Sequence, residues 1–326
     1  GQELYDFGGS FFDIGRNVLN SSFVREDDIK LNLKLKNLNK LETIRKKALE
    51  VGILTRTDGD IVKGSLTYKG IEYPIKLRLK GDWVDHLIGN KWSFRVRTTS
   101  KNTFLGMNEF SLQHPRTRNY INEYLFHALL KKEKLPYLRY NFLPLSINGK
   151  YLGIYALEEH FSKLLLENSG FREGPIIKFS DFDLRSSYKQ MVEIDLTPTD
   201  AGISERNSDI ATFNSKKFEN DETYISQFRI AALMLDKFLK KDLASSQVFD
   251  TEMTAKYFAI SDLLQATGNT WYDMRFYYDP ILARLIPIGY DSVYPIVPAT
   301  RKLSSDTNVL NLFDDPVFFE EYIRNL

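Results

Sequence analysis

Asn148-Gly149 separates two β-favouring runs, residues 140–147 and 151–157, and constrains the fold more tightly than any other dipeptide in the chain. A two-residue type I′ turn needs positive φ at both positions. Asparagine and glycine tolerate this, so the pair predicts an antiparallel hairpin of defined register. The link Tyr68-Lys69-Gly70-Ile71 carries a similar signal between runs 61–68 and 71–79. Further β-favouring runs at 92–97, 110–113 and 176–179 extend the pattern. The segment 271–294, WYDMRFYYDPILARLIPIGYDSVY, predicts strands at 275–278 and 285–288 around the turn signal Asp279-Pro280, leaving Asp273 and Asp291 at strand ends.

Helical spacing of apolar residues appears at 38–51, which stops at Gly52, and at 119–133, where Ile121, Leu125, Ala128 and Leu129 share a face. Shorter or later helical patterns lie at 161–166, 222–241, 252–266 and 317–325. Residues 181–221 are polar and irregular, as expected of a long excursion that packs outside the core and borders a functional cleft. The order predicts an α+β chain with a β-rich first part over about residues 40–180, a polar insertion over 181–221, and a helical part over 222–326 that carries a small β-hairpin.

With 43% hydrophobic and 13% aromatic residues, the 326-residue chain can bury a substantial core, so it is not of a disordered class. Its 44 basic and 43 acidic residues nearly cancel, which removes net charge as an argument for a nucleic-acid partner. No apolar run approaches the ~18 residues of a membrane span, and no signal-peptide pattern is present. The absence of cysteine excludes disulfides, thiolate metal sites and a cysteine nucleophile. Together with a start at Gly1 rather than Met, it favours an exported or envelope-associated bacterial protein whose signal lies outside this chain.

Lys80-Gly81-Asp82 ends one predicted strand and Lys91 enters the next. A glycine there lets backbone N–H groups face an anion, and a strand-borne lysine can reach phosphates, although strand-end lysines are more often simply solvated. Glu159 closes the Asn148-Gly149 hairpin, where it can pair with such a lysine or serve the N-terminus of the following helix. Asp273 and Asp291 suit a metal ion or metal-bound phosphate, while capping a turn is the commoner fate of aspartate in such places. The four histidines lack ligand spacing, which gives a zinc site little support. The nucleophile-elbow, phosphate-loop and dinucleotide-binding glycine motifs are all missing. The aromatic strand beginning at Arg275 fits core packing better than a single-stranded nucleic-acid platform.

Taken in order, these segments resemble the CotH family, the spore-coat-protein-H type of atypical protein kinase. LRLKGDWVDHLIGNKWSFRVR, residues 77–97, looks like the family's strand, K/R-G loop and K-x-S-[FY] strand. FLGMNEFSLQHPRTRNYINEYLFHALL, residues 104–130, is similar to its arginine-led helix and the strand before it. LPYLRYNFLPLSINGKYLGIYALEEHFSK, residues 135–163, carries the I-N-G turn, Y-x-G-x-Y and the following glutamate, and is the most specific match. Ile177-Lys178 stands at the family's short l-y-K strand, and RFYYDPILARLIPIGYD, residues 275–291, resembles its W-D ending. The resemblance covers about residues 40–326.

The resemblance implies a kinase-like fold in which a β-rich lobe and a helical lobe hold Mg²⁺ and ATP and transfer phosphate to a protein substrate. It places Asp291 as the Mg²⁺ ligand, Lys80 and Lys91 near the phosphates, and Glu159 on the glutamate of the Y-x-x-x-E element. One departure stands out. Where the family has D-x-x-x-x-N before the hairpin, this chain has Gly268 at the catalytic-base position and Asp273 at the second metal-ligand position. A carboxylate suits Mg²⁺ at least as well as an amide, and Asp273 can also serve as a surrogate base. Three readings stay open: an active kinase, a pseudokinase used as an interaction module with a protein partner, and a surface adhesin on the same scaffold.

Overall fold

The computed structural model describes residues 28–55, 57–81, 83–99, 101–179, 210–213, 215–264, 271–292 and 306–326. The protein is a mixed α+β chain with two compact units, Gly1–His114 with Asn141–Leu157, and Pro115–Tyr140 with Glu158–Leu326.

In the first unit, seven strands close a barrel in the order β1-β2-β3-β4-β5-β7-β6. They are β1 (Ile29–Leu33), β2 (Val62–Tyr68), β3 (Ile71–Leu79), β4 (Phe94–Thr98), β5 (Glu109–Gln113), β6 (Tyr140–Ile147) and β7 (Lys150–Glu159). Both hairpin signals are real turns: φ is 50° and 76° at Lys69 and Gly70, and 50° and 80° at Asn148 and Gly149. Alternation along the strands sends Leu77, Leu79, Phe94, Val96, Phe110 and Leu112 into one core. Helix α1 (Leu35–Val51) adds Leu41 and Ala48 to that core and ends on Gly52, whose φ of 85° is a left-handed stop.

Strand β1 has no counterpart among the predicted elements, yet it closes the barrel. It pairs antiparallel with β2 and parallel with β6, Ile29 facing Leu145. Asn148 ties the turn to it as well, its Oδ1 accepting from Leu33 N at 2.7 Å and its Nδ2 donating to Leu33 O at 3.0 Å. Closure removes the exposed edges that an open sheet would leave.

The second unit is built on a four-stranded sheet in the order β11-β10-β8-β9. Its strands are β8 (Ile176–Phe179), β9 (Ile210–Thr212), β10 (Arg275–Asp279) and β11 (Arg284–Ile288). Around it lie α2 (Asn122–Lys132), α3 (Lys163–Asn168), α4 (Ser215–Asn220), α5 (Glu222–Leu239), α6 (Ser245–Val248), α7 (Thr251–Leu263), α8 (Thr307–Leu310) and α9 (Pro316–Asn325). The β10–β11 hairpin turns where Asp279-Pro280 predicts it, with Asp279 Oδ1 accepting from Ile281 N at 2.7 Å and from Leu282 N at 3.2 Å.

The boundaries differ from those expected at 40–180, 181–221 and 222–326. Helix α2 belongs with the second unit because Phe126 and Leu130 bury themselves in its core, Phe126 lying edge-on to Tyr257 at 5.7 Å. Strand β8 joins it through pairing with β10. Most of the expected polar insertion, residues 180–209 and 214, lies outside the described residues; at its end, Ile210–Thr212 forms the edge strand β9 and Ser215–Asn220 a helix.

Gly289 sets how closely α2 approaches the end of β11. A Cβ at this position would collide with the Leu130 and Phe126 side chains of α2. Gly289→Ala should therefore lower stability by about 1–3 kcal/mol, the usual cost of overpacking a filled core. Urea unfolding checks this, and an unchanged midpoint and slope would show that α2 yields without cost.

Candidate functional site

Two residues beyond Gly289, the chain turns through Asp291 in the left-handed region, φ 57°. For a non-glycine residue this conformation needs outside support. Glu123 of α2, fully buried, supplies it: Oε1 accepts from Asp291 N at 2.9 Å and Oε2 accepts from Ser292 N at 2.7 Å. The same carboxylate meets His127 one helical turn later, Nε2 to Oε1 3.2 Å. Leu138 N donates to His127 Nδ1 at 3.2 Å, which leaves the imidazole proton on Nε2, directed at Glu123. The buried carboxylate thus has three donors around it and locks the backbone of the acid-bearing turn.

Arg118 faces this turn from the short 3₁₀ segment Pro115–Arg118 that precedes α2. Its Nη1 pairs with Asp291 Oδ1 at 2.8 Å, and its Nε lies 3.5 Å from Glu158 Oε2. Burial works against the guanidinium charge, but Asp291, Glu158, Tyr290 and Glu123 outweigh it and hold the Arg118 pKa well above its ordinary value. Asp291 keeps 27% of its side-chain surface exposed. Burial pushes its pKa up to about 6; Glu123, Asp273 and Glu158 add repulsion, and Arg118 opposes the rise. Burial likewise pushes the neighbouring Tyr290 hydroxyl up to about 12.

Of the residues singled out in the sequence, Asp273 and Asp291 come together in the second unit, close enough for Asp273 to raise the Asp291 pKa. Asp273 ends a 3₁₀ turn, Trp271–Asp273, whose first N–H donates to Asp306 Oδ2 at 2.8 Å. Glu159 also belongs to this unit but is engaged by Arg139, whose Nε donates to Oε2 at 2.9 Å, with Nη2 bonded to Oε1. Its strand neighbour Glu158 points the opposite way, to Arg118. Gly268 lies outside the described residues.

Lys80 and Lys91 belong to the first unit. Lys80, buried, donates from Nζ to Gln113 Oε1 at 2.5 Å. Lys91 donates to Ile154 O at 3.2 Å, stands over the Tyr155 ring at 5.8 Å, and has its pKa lowered by burial. Gly153, φ 82°, makes room for it, since a Cβ there would lie 3.1 Å from Lys91 Nζ.

Sequence reasoning passed over Arg118, Glu123, His127 and Glu158. Alternation along β7 was the available signal for Glu158, and the Glu123–His127 spacing of four was the signal for a shared helix face. Neither spacing reveals what those faces meet.

Among the described residues, no three or more His, Asp or Glu side chains form a group able to hold a metal ion. Mg²⁺, however, needs only one or two carboxylates when phosphates and water complete its shell. Asp291 and Asp273 fit that demand: two acids that repel one another, one of them partly exposed, whose repulsion a cation would relieve.

A family model described as CotH kinase protein matches residues 77–292. No curated protein matches the chain.

Two outcomes test the site. Glu123→Ala leaves two N–H groups without acceptors and should cost about 3 kcal/mol in urea unfolding, with Glu123→Gln, which keeps one acceptor, in between. The Asp291 carboxyl should titrate near 6 by NMR, and higher once Arg118→Gln removes its counter-charge. Because this pKa is raised above the unfolded value of ~3.9, its stabilising contribution is full below about pH 4 and is lost as the pH rises through 6. A titration near 4 would remove the close carboxylate cluster.

Proposed function

The chain belongs to the CotH kinase family, and on that premise we propose that it transfers a phosphoryl group from Mg²⁺-bound ATP to a protein side chain. The fold we assign to it is kinase-like in the sense of that family, with export from a bacterial cell as the setting. The observation that supports this reading best is the locked turn at Asp291, a partly exposed acid held in the left-handed region by Glu123 and aimed by Arg118.

Asp291 and Asp273 would hold Mg²⁺, which, when bound, neutralises charge on the phosphate oxygens. The other roles fall to the chain's own groups. Glu123 fixes the backbone of the ligand-bearing turn, and Arg118 orients the Asp291 carboxylate while Glu158 balances its charge. Within the first unit, Lys80 and Lys91 are the cations that the family resemblance assigns to phosphate, and partial burial lowers the Lys91 pKa. Glu159, held by Arg139, would brace the end of β7 beside Glu158.

Asp273 carries a second assignment. Gly268 offers no side chain to accept the proton of a substrate hydroxyl, so Asp273 is the carboxylate proposed to take it. Transfer should then be slow, because one group divides its work between metal and proton. The same glycine favours a second reading, a pseudokinase or surface interaction module that binds a protein partner without phosphotransfer.

Asp291→Asn should weaken Mg-ATP binding at least ~tenfold in isothermal titration, or ~1.4 kcal/mol, because it removes a direct charge on the metal. Asp273→Asn restores the amide that the family carries at this second metal-ligand position, so it should leave binding nearly intact while phosphate incorporation falls. Unchanged affinity in Asp291→Asn refutes the ligand assignment, and a wild-type chain that binds no nucleotide favours the interaction module.

A further inference from the structure

The outer face of the barrel concentrates lysines at one end of the β1–β2 pair. Because Leu33, Val62, Leu66, Ile75, Leu77 and Val96 turn into the core, the residues between them turn outward. Register places Lys63 of β2 directly opposite Lys76 of β3, and Lys76 directly opposite Arg97 of β4. Like charges facing one another across strands are destabilising. Arg97 is compensated on its far side, where its Nε lies 3.5 Å from Glu109 Oε2. Lys63 and Lys76 have no ion-pair partner among the described residues.

More lysines meet Lys63 from the other side. Leu33 pairs with Gly64, so Lys34, one residue beyond Leu33, and Lys63, one residue before Gly64, share the same end of the ladder. Helix α1 starts there: Lys34 is its N-cap residue without a capping side-chain bond, and Asn37 of the first turn donates from Nδ2 to Lys63 O at 2.8 Å. The first turn holds Lys36 and no acid, the reverse of what the helix dipole favours. Together Lys34, Lys36, Lys40 and Lys63 line an open groove of about 600 Å³. Lys40 donates to Gly59 O, while Lys34, Lys36 and Lys63 are exposed and form no ion pair among the described residues. An anionic occupant would turn their mutual repulsion into attraction.

The lining bears on the class of anion. Among the described residues no aromatic side chain faces the groove, so nucleic-acid bases would find no stacking platform. Its concave form suits a chain better than a flat lipid surface. Asn32 and Ser65 add amide and hydroxyl groups able to bond a peptide backbone, and Ile61, 45% exposed, adds an apolar contact. We propose that this lysine groove binds an acidic segment of a protein partner, whose Asp and Glu carboxylates pair with Lys34, Lys36 and Lys63. Such binding goes beyond phosphotransfer and does not rest on it, since no groove residue belongs to the Asp291 turn and neither metal nor nucleotide takes part.

Fluorescence anisotropy of a labelled oligo-glutamate, titrated with the full chain in metal-free buffer without nucleotide, is the test. The wild type should bind, and more weakly as sodium chloride is raised. Lys34→Gln, Lys36→Gln and Lys63→Gln combined should weaken binding at least ~tenfold. Lys131→Gln, Lys132→Gln and Lys134→Gln combined, an equal change of net charge at exposed positions of the second unit, should leave it nearly unchanged. The groove variant should melt no lower than wild type, because it removes repulsion; should it melt lower, Lys36→Gln alone gives the same reading with a smaller loss. Equal weakening in both triple variants, or no binding by the wild type at low salt, overturns the proposal. Tighter binding of oligo-dT or of phosphatidylglycerol vesicles through the same lysines overturns it too, giving the groove to a nucleic acid or a membrane. Because metal and nucleotide are omitted, a failure of the kinase reading leaves this result interpretable, and the reverse also holds.

Discussion

The carboxylate of Glu123 is the point on which the candidate site depends. It sits at full burial in the first turns of α2 and accepts from two consecutive backbone N–H groups of a segment 168 residues away. A buried carboxylate without donors is strongly unfavourable, and a left-handed aspartate without support is strained. Each defect resolves the other. The His127 ring, its tautomer set by Leu138 N, adds a third donor and ties the hydrogen-bond network to the segment just before β6.

Around that point the charges are arranged asymmetrically. Three acids, Glu123, Glu158 and Asp273, act on Asp291, and Arg118 pairs directly with Glu158 and Asp291. Glu123 is neutralised chiefly by hydrogen bonds, and Glu158 by Arg118 at a longer distance than Asp291. Asp291, the member partly open to solvent, has its pKa held up chiefly by burial, with repulsion from the other three acids adding to it. A site of this kind has its electrostatic deficit where a cation can reach it, as a phosphate-bound metal requires.

The two units reach stability by different routes, and this bears on where function can reside. The barrel has paired strands throughout and encloses one apolar core, so its outer face is free to carry charge. The second unit packs helices and an aromatic-rich core around a small sheet, with Trp271 stacked on Phe238 at 5.5 Å just ahead of Asp273. The acidic turn is therefore anchored on both flanks, by Trp271 and Asp306 before β10 and by Gly289 and Glu123 after β11.

Local features were legible from sequence because their causes are local. Asn148-Gly149 and Lys69-Gly70 dictate turns through the φ angles they accept, Gly52 ends its helix in the same way, and period-two alternation marks most of the barrel strands. The ordered motifs from Lys80 to Asp291 also sufficed to indicate the family, and two of the acids they mark, Asp273 and Asp291, do interact. Tertiary structure decided the rest. It closed the barrel with β1, whose five residues alternate correctly but are too few to stand out from their surroundings. It moved α2 and β8 into the second unit, because the partners of Phe126 and Ile177, Tyr257 and Phe276, lie far along the chain. It also turned Glu158 rather than Glu159 toward Arg118, and gave Glu123 its two N–H donors. A sequence records which groups are present and how their neighbours bias the backbone, but a buried charge is matched by whatever the fold brings to it, and that pairing exists only once the chain has closed.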